Sequence, residues 1–181
     1  MSLGMKINEV QKHEYRQKGY WGDATLADFW NMSVLIAPEK EAVVDLQGAR
    51  YTYAQMDEAA KRVSSFLIEV GVKQNDIVSV QLPGWAEFVL IYVACLKVGA
   101  VINPILPNLR ESDLSYILNK CESKVLFIPS QFKKHDYPNM VKSVLPHVPS
   151  LQKIVIVEKG SIVDKGTTFS RDNQTFSSTF R

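Results

Sequence analysis

The chain has 181 residues, of which 46% are hydrophobic, and its formal net charge is +2 at pH 7. This length and composition suit one folded domain or a large part of a bigger protein. The weak net charge, with basic residues scattered along the chain, argues against nucleic acid as a partner. The longest apolar run, between Phe88 and Val98, is too short to span a bilayer and contains Lys97. We therefore expect a cytoplasmic protein without an integral membrane segment.

The N-terminal region contains two predicted helices. Residues 1–4 have the character of a cloning remnant and are left out of the fold prediction. Residues 8–18 are polar and compatible with a surface helix. Thr25 and Asp28 then have the spacing of a capping box, in which a hydroxyl and a carboxylate satisfy the first amides of a helix. Apolar residues follow at helical spacing, and Pro38 ends this second helix.

A hairpin and a long amphipathic helix follow. Residues 42–45 and 50–52 predict two short strands that turn around Gly48. Thr52 begins a second capping box, and apolar residues then recur at intervals of three and four. Gly71 occupies the position where a left-handed residue commonly ends a helix.

Short β-branched segments then alternate with helical patterns. The predicted strands are 77–80, 100–102, 125–128 and 154–157, and the intervening helices are 85–98, 109–121 and 131–145. Such alternation is typical of right-handed βαβ crossovers. We therefore predict an α/β fold with a largely parallel sheet flanked by helices. The helix 85–98 is apolar on almost every side, so we expect it at the centre of the domain.

One connection in this series combines a glycine with two prolines. Gly99 allows the chain to leave a helix with positive φ. Pro104 has no N–H to donate, so we expect strand pairing to end there. Residues 103–109 then form a stiff loop at the carboxyl end of a strand, which is where open α/β sheets bind ligands. An ordinary stiff connection is the alternative interpretation.

Residue patterns for familiar catalytic chemistry are missing. The chain has no glycine–lysine phosphate loop, no G-x-G-x-x-G and no Cys/His cluster with metal spacing. Its three histidines lie in polar or proline-flanked contexts and are interpreted as surface residues. The carboxylates of the predicted helices, including Asp57 and Glu87, are expected on solvated faces. The pair Lys133-Lys134 could contact a phosphate or begin a solvated helix. We therefore predict no catalytic residue and no metal ligand.

The C-terminal residues differ from the rest of the chain. Residues 159–181 are rich in Ser and Thr and show little periodicity. This composition predicts a tail or a truncated connection. We therefore place the folded α/β subdomain at residues 5–158.

Four blocks, in this order, resemble the N-terminal part of the adenylate-forming enzyme superfamily. The blocks are Arg50–Met56, Gly71–Val78, Leu82–Val101 and Arg110–Leu118. Asn75 stands where the superfamily usually has glycine. The resemblance covers residues 12–158. It is greatest to bacterial short- and medium-chain fatty acyl-CoA ligases, including the cyclohexanecarboxylate-CoA ligase type.

The resemblance implies a two-step reaction. ATP and a small carboxylic acid give an acyl-adenylate with the help of Mg²⁺, and CoA then takes the acyl group as a thioester. The superfamily's phosphate loop ending in Pro-Lys-Gly, its adenine and ribose motifs and its catalytic lysine do not occur in this chain. The resemblance therefore implies the N-terminal portion of an AMP-binding ligase, without activity or bound cofactor of its own. Apolar surface that meets the rest of such a ligase would favour self-association of the fragment.

The resemblance also implies positions for CoA contact. In acetyl-CoA synthetases of the superfamily, the loop after the second strand lies near the CoA nucleotide, and a basic residue after the next strand meets its phosphates. The matching positions here are Leu106, Pro107 and Asn108, with Lys133 or Lys134. This loop departs from the superfamily's aromatic-glycine-glycine form.

Two other functions stay open at this point. The first is an aryl-acid or peptide-synthetase type of adenylating enzyme, which passes its acyl group to a carrier protein. The residues that distinguish it from a CoA ligase lie beyond Arg181. The second is a non-catalytic βαβ interaction module.

Overall fold

The computed structural model describes residues 8–45, 48–158, 167–170 and 173–178. Within these ranges the helices are α1 (Glu9–Gln17), α2 (Leu26–Ile36), α3 (Tyr53–Glu69), α4 (Ala86–Val98), α5 (Glu111–Cys121) and α6 (Tyr137–Val144). The strands are β1 (Glu41–Val44), β2 (Arg50–Thr52), β3 (Ile77–Val80), β4 (Val101–Pro104), β5 (Val125–Pro129), β6 (Gln131–Phe132), β7 (His135–Asp136), β8 (Lys153–Val157), β9 (Thr167–Ser170) and β10 (Asn173–Ser178). The proposed cloning remnant at residues 1–4 lies outside the described residues.

The main sheet has the strand order β10-β9-β8-β5-β3-β4. Strands β8, β5, β3 and β4 are parallel, and β9 and β10 extend the sheet beyond β8 through antiparallel pairing. Helices connect the parallel strands, so the predicted α/β fold class is confirmed. The chain runs from β3 to β4 in one direction across the sheet and then returns to β5 on the other side of β3. Strand order therefore reverses around β3.

Alternate residues of β5 enter two different cores. Val125 and Phe127 of β5 lie in the core that also contains side chains of α3 and α4. Leu126 and Ile128 lie in the core formed with α5 and α6. This follows from the two-residue side-chain period of a strand, because all of β5 is covered on both faces.

Local sequence signals begin and end the helices that cover the sheet. Thr25 and Thr52 both form complete capping boxes, as their spacing predicts. Gly99 ends α4 with φ of 74° and ψ of 18°, which is the predicted left-handed conformation. Gly71, which follows the last turn of α3, also has a positive φ of 87°.

Pairing between β3 and β4 continues beyond the expected stop at Pro104. The amides of Val101 and Ile105 donate to the carbonyls of Asp76 and Val80, both at 2.9 Å. Pro104 lies at the alternate position, and β4 is the edge strand of the sheet. Its missing N–H therefore removes no bond to β3, and the expectation that pairing ends at Pro104 is wrong by one residue.

The helix predicted at 131–145 is shorter than expected. Residues 131–136 form the two-stranded hairpin of β6 and β7, and α6 begins only at Tyr137. The carboxylate of Asp136 caps the helix by accepting from the amide of Asn139 at 2.9 Å. Pro138 explains the start, because proline fits the first turn of a helix and disrupts its interior.

Two strands occur within the C-terminal region for which a tail or a truncated connection was predicted. Strand β9 pairs antiparallel with β8, and β10 pairs antiparallel with β9. Residues 159–166, which form part of the predicted tail, lie outside the described residues.

Two of the helical carboxylates are buried, contrary to expectation. Asp57 is 5% exposed and Glu87 is 4% exposed. Asp57 lies where α2, α3 and α4 meet, and it accepts a hydrogen bond from the indole of Trp30 at 2.9 Å. A helical pattern alone does not distinguish this position from a solvated one, because the partners come from other helices.

Candidate functional site

The connection after β4 lies at the carboxyl end of the sheet, beside the point where strand order reverses. In open α/β sheets this is the usual position of a ligand crevice. The connection contains a tight turn in which the amide of Leu109 donates to the carbonyl of Leu106 at 3.2 Å. Pro107 and Asn108 are the two central residues of this turn. Proline suits the first of these positions because its φ is already near the required value.

Three side chains donate hydrogen bonds to the carbonyls of the turn. Gln81, which directly follows β3, is fully buried and donates from Nε2 to the carbonyls of Leu106 at 3.1 Å and Leu109 at 3.0 Å. The hydroxyl of Tyr137 donates to the carbonyl of Pro107 at 2.7 Å. Arg110 also donates to the carbonyl of Pro107, at 2.8 Å. The carbonyls of the turn are therefore bound from two distant parts of the chain, at Gln81 and Tyr137, and by Arg110 directly after the turn.

The hairpin of β6 and β7 forms the opposite side of the site. Its two central residues, Lys133 and Lys134, have positive φ angles of 48° and 63°. Residues with a Cβ rarely adopt this conformation, and each instance costs about 1–3 kcal/mol. The ammonium of Lys133 lies 5.5 Å from the centre of the Phe132 ring, which is within the range of a cation–π contact.

The turn and the hairpin enclose a cleft of about 200 Å³. The residues that line this cleft are Pro107, Asn108, Arg110, Phe132, Lys133 and Tyr137. Arg110 and Lys133 carry positive charge, and the lining includes no carboxylate. Phe132 adds an aromatic ring. This ring also packs in a T-shaped arrangement against Trp85, with 6.4 Å between ring centres. The cleft thus has the chemistry of an anion site with an apolar wall.

Tyr137 connects the two sides of this cleft. It begins α6 directly after the hairpin, and its side chain is fully buried. Burial raises the pKa of its phenol, although the nearby Arg110 guanidinium acts in the opposite direction. The phenol therefore stays protonated at neutral pH and donates to Pro107. The ring of His135 lies against Tyr137 with 4.9 Å between centres, so this half-buried histidine is not the simple surface residue that was predicted.

The structure gathers part of the predicted CoA positions around one cleft. Pro107, Asn108 and Lys133 line it, whereas Leu106 and Lys134 do not. Leu106 points its side chain largely toward solvent, with 64% of its surface exposed.

Three lining residues were not predicted from the sequence. They are Arg110, Phe132 and Tyr137. Arg110 begins the fourth of the blocks that resemble the adenylate-forming superfamily, so the sequence did contain a signal for this residue. Phe132 and Tyr137 gave none, because the segment 131–145 was expected to be one helix.

Metal ligation has no support in the part of the chain that the structure describes. Within it, no group of three or more His, Cys, Asp or Glu side chains could hold a metal ion. The helices of the same residues also lack the combination of length and apolar character needed to cross a membrane.

Comparisons with known proteins show which proteins the chain is similar to. The chain is 43% identical over 88% of its length to the medium-chain fatty-acid–CoA ligase of Escherichia coli. It is 30% identical over 86% of its length to the vibriobactin-specific 2,3-dihydroxybenzoate-AMP ligase of Vibrio cholerae. The apo structure of Mycobacterium smegmatis MbtA superposes with a TM-score of 0.72, at 27% identity and over 82% of this chain.

The match covers only part of each of these proteins. The chain spans 28% of the length of both curated ligases and 27% of the MbtA chain. The model of the AMP-binding enzyme family matches residues 33–179, which extends past the expected boundary at residue 158 and includes β9 and β10. The chain therefore belongs to the AMP-binding enzyme family.

Proposed function

We propose that this chain is the N-terminal portion of an ATP-dependent acyl-CoA ligase that activates a short- or medium-chain carboxylic acid. The observation that carries the proposal is the 43% identity to the E. coli medium-chain ligase over 88% of the chain. Identity to the V. cholerae aryl-acid ligase over a similar share is 30%. In the proposed reaction ATP, Mg²⁺ and the acid form an acyl-adenylate, and CoA then accepts the acyl group.

The cleft supports a role in holding the phosphates at the nucleotide end of CoA. Arg110 uses Nη1 for the carbonyls of Pro107 and Leu109, so a phosphate would accept two parallel hydrogen bonds from its Nε and Nη2. Lys133 adds a second positive charge. Phe132 and Pro107 offer apolar surface to the rest of the nucleotide. Bound CoA supplies the thiol that accepts the acyl group. Leu106 and Lys134 have no contact role in this proposal.

The full-length protein provides the direct test. It is incubated with octanoate, ATP, Mg²⁺ and CoA, and the products are identified by mass spectrometry. We expect octanoyl-CoA, AMP and pyrophosphate, and no octanoyl-CoA when any one reactant is omitted. Formation of octanoyl-adenylate without any thioester when CoA is present would contradict the proposal.

The isolated 181-residue chain is expected to be inactive, because the phosphate loop and the catalytic lysine implied by the resemblance do not occur in it. ATP–pyrophosphate exchange with octanoate measures this directly. Exchange catalysed by the chain alone, above that of a heat-denatured sample, would contradict the expectation.

An aryl-acid adenylating enzyme is the second candidate. The identity to the V. cholerae 2,3-dihydroxybenzoate-AMP ligase supports it. Exchange in the full-length protein with 2,3-dihydroxybenzoate but not with octanoate would favour this candidate. A non-catalytic interaction module is not proposed, because the chain belongs to an enzyme family.

A further inference from the structure

We propose that Tyr137 and Gln81 are positioning residues that set the shape of the CoA cleft without contacting the reacting atoms. The inference rests on the proposed function of the cleft. Lining residues come from the turn after β4 and from the hairpin after β5, which are separated by more than 20 positions in the sequence. The relative position of these two segments decides whether Arg110 and Lys133 can reach the same ligand.

Tyr137 supplies the direct link between the two segments. Its backbone follows the hairpin immediately, since β7 ends at Asp136. Its hydroxyl donates to the carbonyl of Pro107, 30 positions earlier in the chain, at 2.7 Å. Because the ring is fully buried, water does not compete readily for this bond. This bond therefore connects the turn on one side of the cleft with the end of the hairpin on the other side.

Gln81 holds the same turn by an independent route. It lies at the end of β3, which is the strand between β4 and β5. Both of its amide protons are directed to carbonyls of the turn, those of Leu106 and Leu109. Its Oε1 atom is buried and has no hydrogen-bond partner among the described residues. A buried acceptor without a partner is unfavourable. The favourable contribution of Gln81 therefore comes from the two hydrogen bonds that it donates to the turn.

These contacts preorganise the turn before a ligand arrives. A cleft whose walls are already fixed loses less conformational entropy on binding. Removal of either contact is therefore expected to weaken CoA binding although both cationic side chains are still present, because the segments that carry them are no longer held in one relative position. The first half of the proposed reaction needs no CoA, so it serves as an internal reference.

The experiment compares Tyr137→Phe with wild type in the full-length protein. This substitution removes one hydroxyl and keeps the buried ring. We expect the KM for CoA to rise about fivefold, which is the effect of one lost hydrogen bond, with kcat nearly unchanged. The rate of ATP–pyrophosphate exchange without CoA should equal that of wild type. Gln81→Met, which keeps the length of the side chain and removes both donors, should raise the same KM.

Val144→Ala is the matched control for a purely structural effect. Val144 is the last residue of α6 and is buried in the core that α6 shares with α5, so its truncation lowers the melting temperature without removing a hydrogen bond to the turn. We expect this variant to keep the wild-type KM for CoA. An unchanged KM in Tyr137→Phe, or an equal rise in Val144→Ala, would overturn the inference. Absence of any CoA thioester from the wild-type protein would instead overturn the proposed function, and the inference with it.

Discussion

The ammonium of Lys97 on α4 lies 2.6 Å from the carboxylate of Asp57 on α3. Both side chains are largely buried, with 17% of the Lys97 side chain and 8% of the Asp57 side chain exposed. The same carboxylate accepts from the indole of Trp30 on α2, and Lys61 approaches it at 3.1 Å from one helical turn away. The three helices α2, α3 and α4 are therefore joined at a single carboxylate.

Replacement of Asp57 by Asn should destabilise the chain. The substitution keeps the shape of the side chain but leaves the ammonium of Lys97 partly buried without its counter-charge. Breaking a buried ion pair in this way costs roughly 3 kcal/mol. Urea unfolding at pH 7 measures the loss, and Glu58→Gln on the exposed side of the same helix is the control. Equal stabilities of Asp57→Asn and Glu58→Gln would show that the pair contributes nothing.

The stability of the chain should fall in acid, in part through Asp57. Burial acts to raise the pKa of this carboxyl, but hydrogen bonds from Lys97, Trp30 and Lys61 outweigh it and leave the pKa below the ordinary value of 3.8. The stabilisation is therefore complete above pH 3.8 and is lost as the pH falls through the lower pKa of the folded state. The difference in unfolding free energy between wild type and Asp57→Asn should therefore shrink as the pH is lowered below 3.8 and Asp57 of the folded chain becomes protonated. A difference that is constant over this range would contradict the assignment.

The two lysines of the β6–β7 hairpin should respond differently to substitution. Gly tolerates positive φ, so Lys134→Gly should stabilise the chain by about 1 kcal/mol. Asn is also tolerated there, so Lys133→Asn should not reduce stability. In the full-length protein only Lys133→Asn should raise the KM for CoA, because Lys133 lines the cleft and Lys134 does not. Thermal unfolding and CoA kinetics check both parts, and equal KM effects of the two variants would argue against the cleft.

Gly99 should be intolerant of a β-branched side chain. It ends α4 with φ of 74°, and an added Cβ would lie 3.2 Å from Cγ of Gln74. Gly99→Val should therefore lower the unfolding free energy by about 2–3 kcal/mol. Gly84→Ala is the control, since a Cβ added at Gly84 would meet no atom within 4 Å apart from those of its chain neighbours. A melting temperature for Gly99→Val equal to that of Gly84→Ala would show that the left-handed conformation is not required.

The isolated chain should self-associate through α2. No side chain of this helix is fully buried, and Leu35 and Ile36 are 82% and 75% exposed. A contiguous apolar face of this kind commonly marks a contact surface. Light scattering should show a mass that increases with concentration, and Leu35→Lys with Ile36→Lys should reduce it. Ile68→Lys, the same change at an exposed position on α3, is the control, and a monomer at all concentrations would contradict the expectation.

Local patterns predicted most of the individual elements. The capping boxes at Thr25 and Thr52 set the starts of α2 and α3, and Gly99 set the end of α4. These signals are legible because each depends on atoms within one helical turn of the residue. The segment 131–145 was predicted wrongly as one helix, since its helical pattern belongs only to α6, which begins at Tyr137.

The amino-acid sequence by itself determined helices α1 to α5, strands β1 to β5 and β8, and the left-handed residues Gly71 and Gly99. Only the tertiary structure decided that β3 lies between β4 and β5, and so that Pro107 and Lys133 face one cleft. Strand order depends on how all the helices pack on both faces of the sheet, which no short window of sequence contains. The links from Gln81 and Tyr137 to the turn span 25 to 30 positions for the same reason.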